Sequence, residues 1–256
     1  MSLIPDLSTP AHALICGASQ GIGLALCEAL LARDDVACVW AVARTATQSP
    51  GLAALSQRHG ERLRRLDCDA RQEASLAELA AQVGGQGTPL NLVISTLGIL
   101  HQDGARAEKS LAHVDLASLQ ASFATNTFAP VLLLKHLLPL LRKQPATFVA
   151  LSARVGSITD NRLGGWYSYR ASKAALNQLL RTASIELRRL NPASTVLALH
   201  PGTTDTQLSE PFQKNVPTEQ LFDPAFAARC LLEQVARHGA ADSGSFWAWD
   251  GQPIDW

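Results

Sequence analysis

Seven short strand-like runs, most of them apolar throughout, constrain this chain more than any other feature. They lie near residues 13–16, 36–42, 62–66, 90–95, 147–152, 195–200 and 245–249. They alternate with helical periodicity near 21–33, 52–58, 75–83, 116–128, 131–142, 167–190 and 224–237. Runs without polar alternation suit strands buried on both faces. Such strands separated by helices build a parallel sheet covered on each side. The expected fold class is α/β, a three-layer doubly wound parallel sheet of about seven strands. With 256 residues, 47% of them apolar, the chain can fill one such core. A single domain over residues 1–256 is expected.

The charge balance excludes several classes of partner. Lys plus Arg and Asp plus Glu both number 22, so the formal net charge is zero. No basic block points to nucleic acid, and no polybasic helix to a membrane surface. No segment has 18 consecutive apolar residues, so no membrane span is expected. The first nine residues lack the basic start and apolar run of a signal peptide. Cys16, Cys27, Cys38, Cys68 and Cys230 are scattered, with no C-x-x-C pair. They read as small buried hydrophobes in a reducing, cytoplasmic setting.

Two motifs carry chemistry. The first run leads into Cys16-Gly17-Ala18-Ser19-Gln20-Gly21-Ile22-Gly23 and then a helix. Gly17 permits a tight turn, Gly21 a close backbone approach to a pyrophosphate, and Gly23 close packing of helix on strand. The helix N-terminus adds unpaired N–H groups and partial positive charge. The spacing differs from that of a P-loop, so a kinase or ATPase is not expected. The second motif is Tyr169-Arg170-Ala171-Ser172-Lys173. A spacing of four places the phenol and the amine on one helix face. A phenol titrates near 10, and an ammonium about 4 Å away favours the phenolate by about 4 kcal/mol at an effective dielectric of about 20. Before desolvation that is about 3 pKa units, enough for proton exchange with a carbonyl or alcohol near neutrality.

The loop and the Tyr169/Lys173 pair together resemble the short-chain dehydrogenase/reductase family, which implies a Rossmann fold and a nicotinamide cofactor. Gly156-Ser157-Ile158, Gly165-Trp166-Tyr167-Ser168-Tyr169 and Trp249-Asp250-Gly251 resemble the C-factor/sniffer-like subgroup. The resemblance implies that Asn126 supports a water linking Lys173 to solvent. It implies that Pro201, Gly202, Thr204 and Thr206 hold the nicotinamide carboxamide and phosphates, and that Asp69 with Ala70 lies by the adenine. It also implies a homodimer or homotetramer built on the helices near 131–142 and 167–190.

Two departures stand out. Ser95-Thr96-Leu97-Gly98 replaces Asn-Asn-Ala-Gly, so Ser95 has to substitute for an asparagine while Gly98 keeps the backbone permissive. Counting back from Gly156 puts Ala153 where the family has its catalytic serine. Ser152 is adjacent but faces the other way unless the strand bulges or has ended. Ser157 is a second choice, and no serine at all a third.

The second run ends Ala43-Arg44-Thr45. An NAD-selective site places a carboxylate there. Arg44 instead suits the 2′-phosphate, with Thr45 adding a hydroxyl, so NADP(H) is favoured over NAD(H). The irregular stretch after Pro201 leaves the carboxyl edge of the sheet, and residues 203–223 are expected to form a substrate lid. Leu100, Trp166, Leu208 and Phe212 suggest a largely apolar carbonyl or alcohol substrate. The substrate pocket is expected from 99–109, 154–165 and 204–222. The histidines show no metal-ligand spacing, and Arg154 and Arg162 are either solvated or meet a substrate acid. The expected activity is NADP-dependent hydride transfer, with Tyr169 as general acid/base, Lys173, Asn126 and Ser152 beside it, and a glycine loop of Gly17, Ser19, Gln20, Gly21, Ile22 and Gly23. The alternatives are a non-catalytic NADP-binding sensor and, more weakly, a lyase or epimerase on the same scaffold.

Overall fold

The computed structural model describes residues 2–101 and 103–256; Met1 and Gln102 lie outside the described residues. All seven runs become strands of one parallel sheet, ordered β3-β2-β1-β4-β5-β6-β9. They are β1 (Ala11–Cys16), β2 (Val36–Ala43), β3 (Leu63–Asp67), β4 (Leu92–Ser95), β5 (Ala146–Leu151), β6 (Ser194–His200) and β9 (Ser245–Ala248). Chain order runs outward from β1 in one direction and outward from β4 in the other. The crevice at such a switch point is where doubly wound sheets bind ligands.

Successive residues of β1 enter opposite cores, which is why the run is apolar throughout. Ala13 and Ile15 pack with α1 (Gly21–Leu31), α2 (Pro50–His59) and α7 (Pro224–Arg237). Leu14 and Cys16 pack with α3 (Glu73–Gly84), α5 (Ala129–Leu137) and α6 (Tyr167–Leu190). α4 (Leu116–Phe123) lies against α6. All five cysteines are free and buried.

Two elements differ from the sequence expectation. The helices near 116–128 and 131–142 are not separate. α4 runs into α5 through a π turn, Ala124–Phe128, where Ala129 N–H bonds to Ala124 O. Pro130 lies in the first turn of α5 and has no N–H to continue an α pattern. The combined stretch Leu116–Leu141 has the length of a membrane span and a mean hydropathy of 1.2. It nevertheless buries Ser118, Ser122, Asn126 and Thr127 inside the fold. The second difference lies in 203–223, which is not structureless. β7 (Thr203–Thr204) pairs in parallel with β8 (Leu221–Phe222), and 3₁₀ turns occupy Glu210–Asn215 and Thr218–Gln220.

Candidate active site

A cavity of about 1150 Å³ runs along the carboxyl edge of the sheet, from the end of β2 to the end of β6. That exceeds the roughly 300–1,000 Å³ of a drug-sized pocket and leaves room for a dinucleotide with a second ligand. Its floor is the glycine loop, and Gly17, Ser19, Gln20, Gly21, Ile22 and Gly23 all line it. Gly17 takes φ 95° and donates its N–H to Val42 O at 2.8 Å. A Cβ on Gly23 would overlap the Gly17 carbonyl and stand 3.0 Å from Ala18 Cα. The N-terminus of α1 has no side-chain cap. Its N–H groups therefore face the cavity as a cradle for an anion.

At the β2 end, Arg44, Thr45, Asp69 and Ala70 line the cavity, as the sequence suggests. Two neighbours were not legible there. Arg71 bonds both oxygens of Asp69 at 3.1 Å and reaches Asp103 Oδ2 at 3.3 Å. Asp103 also lies 3.5 Å from Arg44 Nη1. The Asp69 carboxyl is held below its ordinary value, chiefly by the hydrogen bond from Arg71.

Behind the cavity, β4 ends differently from expectation. Ser95 is buried off the cavity, and its hydroxyl has no described partner. Thr96 lines the wall instead, donating to Cys16 O at 3.0 Å and Gly17 O at 3.2 Å. A strand residue's facing follows its position in the pleat, so one step decides which hydroxyl meets the loop. Gly98 sits where a Cβ would lie 3.7 Å from Lys173 Nζ and 3.3 Å from Leu208.

Tyr169 and Lys173 meet in the same wall. Both line the cavity, and the Lys173 ammonium lies 5.8 Å from the Tyr169 ring centroid. Lys173 Nζ donates to Leu151 O at 2.8 Å. Gly156 allows this packing, since a Cβ there would come within 2.7 Å of Lys173 Cβ. The electrostatics depart from what the spacing alone predicts. Burial pushes the Tyr169 phenol up and pulls Lys173 down to about 7. In this dry wall desolvation outweighs the attraction between cation and phenol.

That shift carries a sign for stability. Lys173 binds its proton less readily folded than unfolded, so it destabilises the fold fully below pH 7 and not at all above about pH 10.5. Lys173→Met is therefore expected to raise the melting temperature of the cofactor-free protein most at pH 7 and below. The gain should shrink to nothing near pH 10.5, and a pH-independent difference in thermal unfolding would contradict the burial effect.

Asn126 stands in the π turn, behind the wall rather than on it. Its amide donates to Ile99 O and Ser172 Oγ, both at 3.0 Å, and accepts from Ile99 N at 2.7 Å. Single wide turns of this kind often mark functional positions in helices.

Ser152 lies on the cavity wall, but its hydroxyl donates to Asn177 Oδ1 on α6 at 2.6 Å. Strand β5 has ended at Leu151, and Ala153, still extended at φ −143°, packs with Tyr169 and Leu100. The side chain beside the phenol is thus a methyl. Ser157 lies off the cavity, accepting from Asp160 N at 3.1 Å. His200, which spacing gave no reason to single out, lines the cavity, and its Nδ1 has no partner among the described residues. Burial pulls its pKa down to about 4, leaving the imidazole neutral.

The remaining wall is apolar. Leu100, Ala153 and Tyr169 form a small cluster joined by Val155, Trp166, Leu208 and Phe212. Trp166 and Phe212 ring centroids are 4.7 Å apart. The segment after β6 folds over the glycine loop. Pro201, Gly202, Thr204 and Thr206 line the cavity, and Gln20 Nε2 donates to Gln207 Oε1 at 3.2 Å. Thr204 Oγ1 is buried without a described partner.

A family model for short chain dehydrogenases matches residues 11–217. The chain is 30% identical over 251 residues to a 1-hydroxy-2-glutathionyl-2-methyl-3-butene dehydrogenase of Rhodococcus, covering 95% of this chain and 98% of that one. The structure is similar to that of an NADPH-bound carbonyl reductase from chicken fatty liver, with TM-score 0.86, 30% identity, and coverage of 98% and 100%. It is also similar to the carbonyl reductase Sniffer of D. melanogaster, with TM-score 0.85, 27% identity, and coverage of 97% and 100%. The chain therefore belongs to the short chain dehydrogenase family, oxidoreductases acting on carbonyl and alcohol groups.

Proposed function

We propose that this chain is an NADP(H)-dependent carbonyl reductase for largely apolar small molecules, with Tyr169 as the general acid. One observation carries this reading: Tyr169 and Lys173 are buried together in the wall of a cavity whose floor is a glycine loop. When bound there, NADPH supplies the hydride. The glycine loop, Thr204 and Thr206 hold its phosphates, and Asp69 and Ala70 flank the adenine. Tyr169 gives its proton to the carbonyl oxygen, so the phenol's raised pKa has to be offset as charge develops nearby. Lys173, on the same helix face, supplies positive charge for that step. Asn126 orders the water that reprotonates it. Ala153 provides no hydroxyl, and Ser152 is engaged with Asn177, so Tyr169 acts without a serine beside it. The apolar cluster of Leu100, Trp166, Leu208 and Phe212 receives the rest of the substrate.

The reading extends to the whole chain as one domain with a lid at 203–223. It includes a homodimer or homotetramer through the outer faces of α4 to α6, where Leu116, Phe128, Leu179 and Ile185 are exposed. The free, buried cysteines support a cytoplasmic setting.

Cofactor choice rests on Arg44. Arg44→Ala is expected to raise KM for NADPH about tenfold and leave KM for NADH unchanged. Tenfold is about 1.4 kcal/mol, within the range of one charge-assisted hydrogen bond. Equal KM changes for both nucleotides would remove Arg44 from the 2′-phosphate site.

NADPH fluorescence followed against aldehydes, ketones and quinones tests the activity. Steady consumption supports the reductase. The engaged hydroxyl of Ser152 and the raised Tyr169 favour a second reading, an NADP-binding sensor. Tight NADPH binding with no consumption across the panel would establish it.

A further inference from the structure

Glu108 is a carboxylate that the proposed chemistry does not use, and it is only 3% exposed. A carboxylate so buried has to be paired or hydrogen-bonded. Each of its described partners is a hydroxyl or an N–H. Oε1 accepts from Ser118 Oγ at 3.0 Å, in the first turn of α4, and from Ser168 Oγ. Oε2 accepts from Ser168 N at 3.2 Å. The Glu108 backbone carbonyl accepts from Trp166 N. Burial pushes this carboxyl up, but the hydrogen bonds from Ser168, from its own backbone N–H and from Ser118 together outweigh it and hold it below its ordinary value.

The location gives these bonds their meaning. Helix α6 begins without a cap of its own: Trp166, at the cap position, takes φ 51° and makes no side-chain hydrogen bond to the helix. The first N–H groups of a helix need an acceptor, and negative charge there is favoured by the helix dipole. Glu108 supplies both from a segment 60 residues earlier in the chain. Ser168, which donates two of the bonds that the carboxylate accepts, is followed directly by Tyr169. The loop carrying Glu108 also contributes Leu100 and Ala107 to the cluster around the phenol.

We propose that Glu108 is a positioning residue, capping α6 from the loop after β4 and fixing Tyr169 relative to the substrate end of the cavity. This rests on Tyr169 being the proton donor. Ser118, Glu108 and Ser168 join two helices and the loop at one buried point. When the carboxylate is lost, the first turn of α6 loses its acceptor and the phenol shifts with it. A misplacement of about 1 Å in a reacting group can cost about 100-fold in rate.

The test compares Glu108→Ala, Glu108→Gln and Ser168→Ala by steady-state kinetics, NADPH fluorescence titration and thermal melting, with Tyr169→Phe alongside. Glu108→Ala is expected to lower kcat about 10- to 100-fold. Its NADPH Kd should stay within about twofold of wild type, because the glycine loop and Arg44 are untouched. Glu108→Gln should recover most of the loss, since its carboxamide oxygen still accepts from Ser168 N. Should Glu108→Ala fail to fold, Ser168→Ala decides, with kcat expected to fall severalfold at unchanged NADPH affinity. Wild-type kcat in Glu108→Ala, or in Ser168→Ala where that variant decides, overturns the inference alone. Parallel loss of kcat and NADPH affinity also overturns it, because it would mean general disruption. Turnover in Tyr169→Phe removes the proton donor itself, and the positioning role with it.

Discussion

Tyr169→Phe should bind NADPH as tightly as wild type and lose about two to four orders of magnitude in kcat, the usual worth of a general acid. The substitution removes one oxygen and little else. The ring stays in its cluster with Leu100 and Ala153, and Lys173 keeps its bond to Leu151 O. The neighbouring hydroxyl of Ser152 cannot take over while it is engaged with Asn177. His200 also lines the cavity, but its pKa of about 4 leaves it neutral, so at neutral pH it could give up a proton only by forming a costly imidazolate. Single-turnover measurement of NADPH oxidation separates this loss from any change in product release. Wild-type rates in the variant would refute the assignment of the proton donor.

Gly23→Ala should fail at the opposite end of the cavity, in binding rather than in chemistry. The space that a side chain at Gly23 would need is filled by the carbonyl of Gly17, part of the turn proposed to cradle the phosphates. A methyl there has to push backbone, not a flexible side chain. Overfilling a packed site typically costs about 1–3 kcal/mol. If that strain is drawn from cofactor binding, NADPH affinity falls about 5- to 150-fold, at about 1.4 kcal/mol per tenfold. Gly84→Ala serves as the control, because a Cβ there meets only the Leu140 side chain at 3.4 Å. Isothermal titration of both variants checks the prediction, and unaltered affinity in Gly23→Ala would show that the loop can yield without cost.

What could be read from the sequence follows from how far each signal reaches along the chain. The strands were legible because each buries both faces, which leaves apolar runs that need no partner to be recognised. Gly23 and the Tyr169/Lys173 spacing are equally local, since a turn or one helical repeat fixes their geometry. The residues that escaped were brought together by tertiary approach. Glu108 meets Ser168 across 60 residues, and Arg71 meets Asp103 across 32. Ser95 and Thr96 differ only in which way the pleat turns them. The choice between Ser152 and Ala153 depended on where β5 stops, a boundary that composition does not mark. The opposing shifts of Tyr169 and Lys173 were hidden too, because spacing reports proximity and not how dry the wall is.

The strand order also has a consequence for how the molecule is made. β1 to β4 all lie within the first 95 residues and are neighbours in the sheet, whereas β5 begins at Ala146 and β9 at Ser245. As the chain leaves the ribosome, the half that carries the glycine loop, Arg44 and Asp69 is therefore complete while the half that carries Tyr169 and Thr204 is still being translated. Until Ala146–Leu151 emerges, one side of β4 is an open hydrogen-bonding edge of apolar residues, the kind of surface that recruits unwanted neighbours. The nascent protein is most exposed to aggregation in that interval.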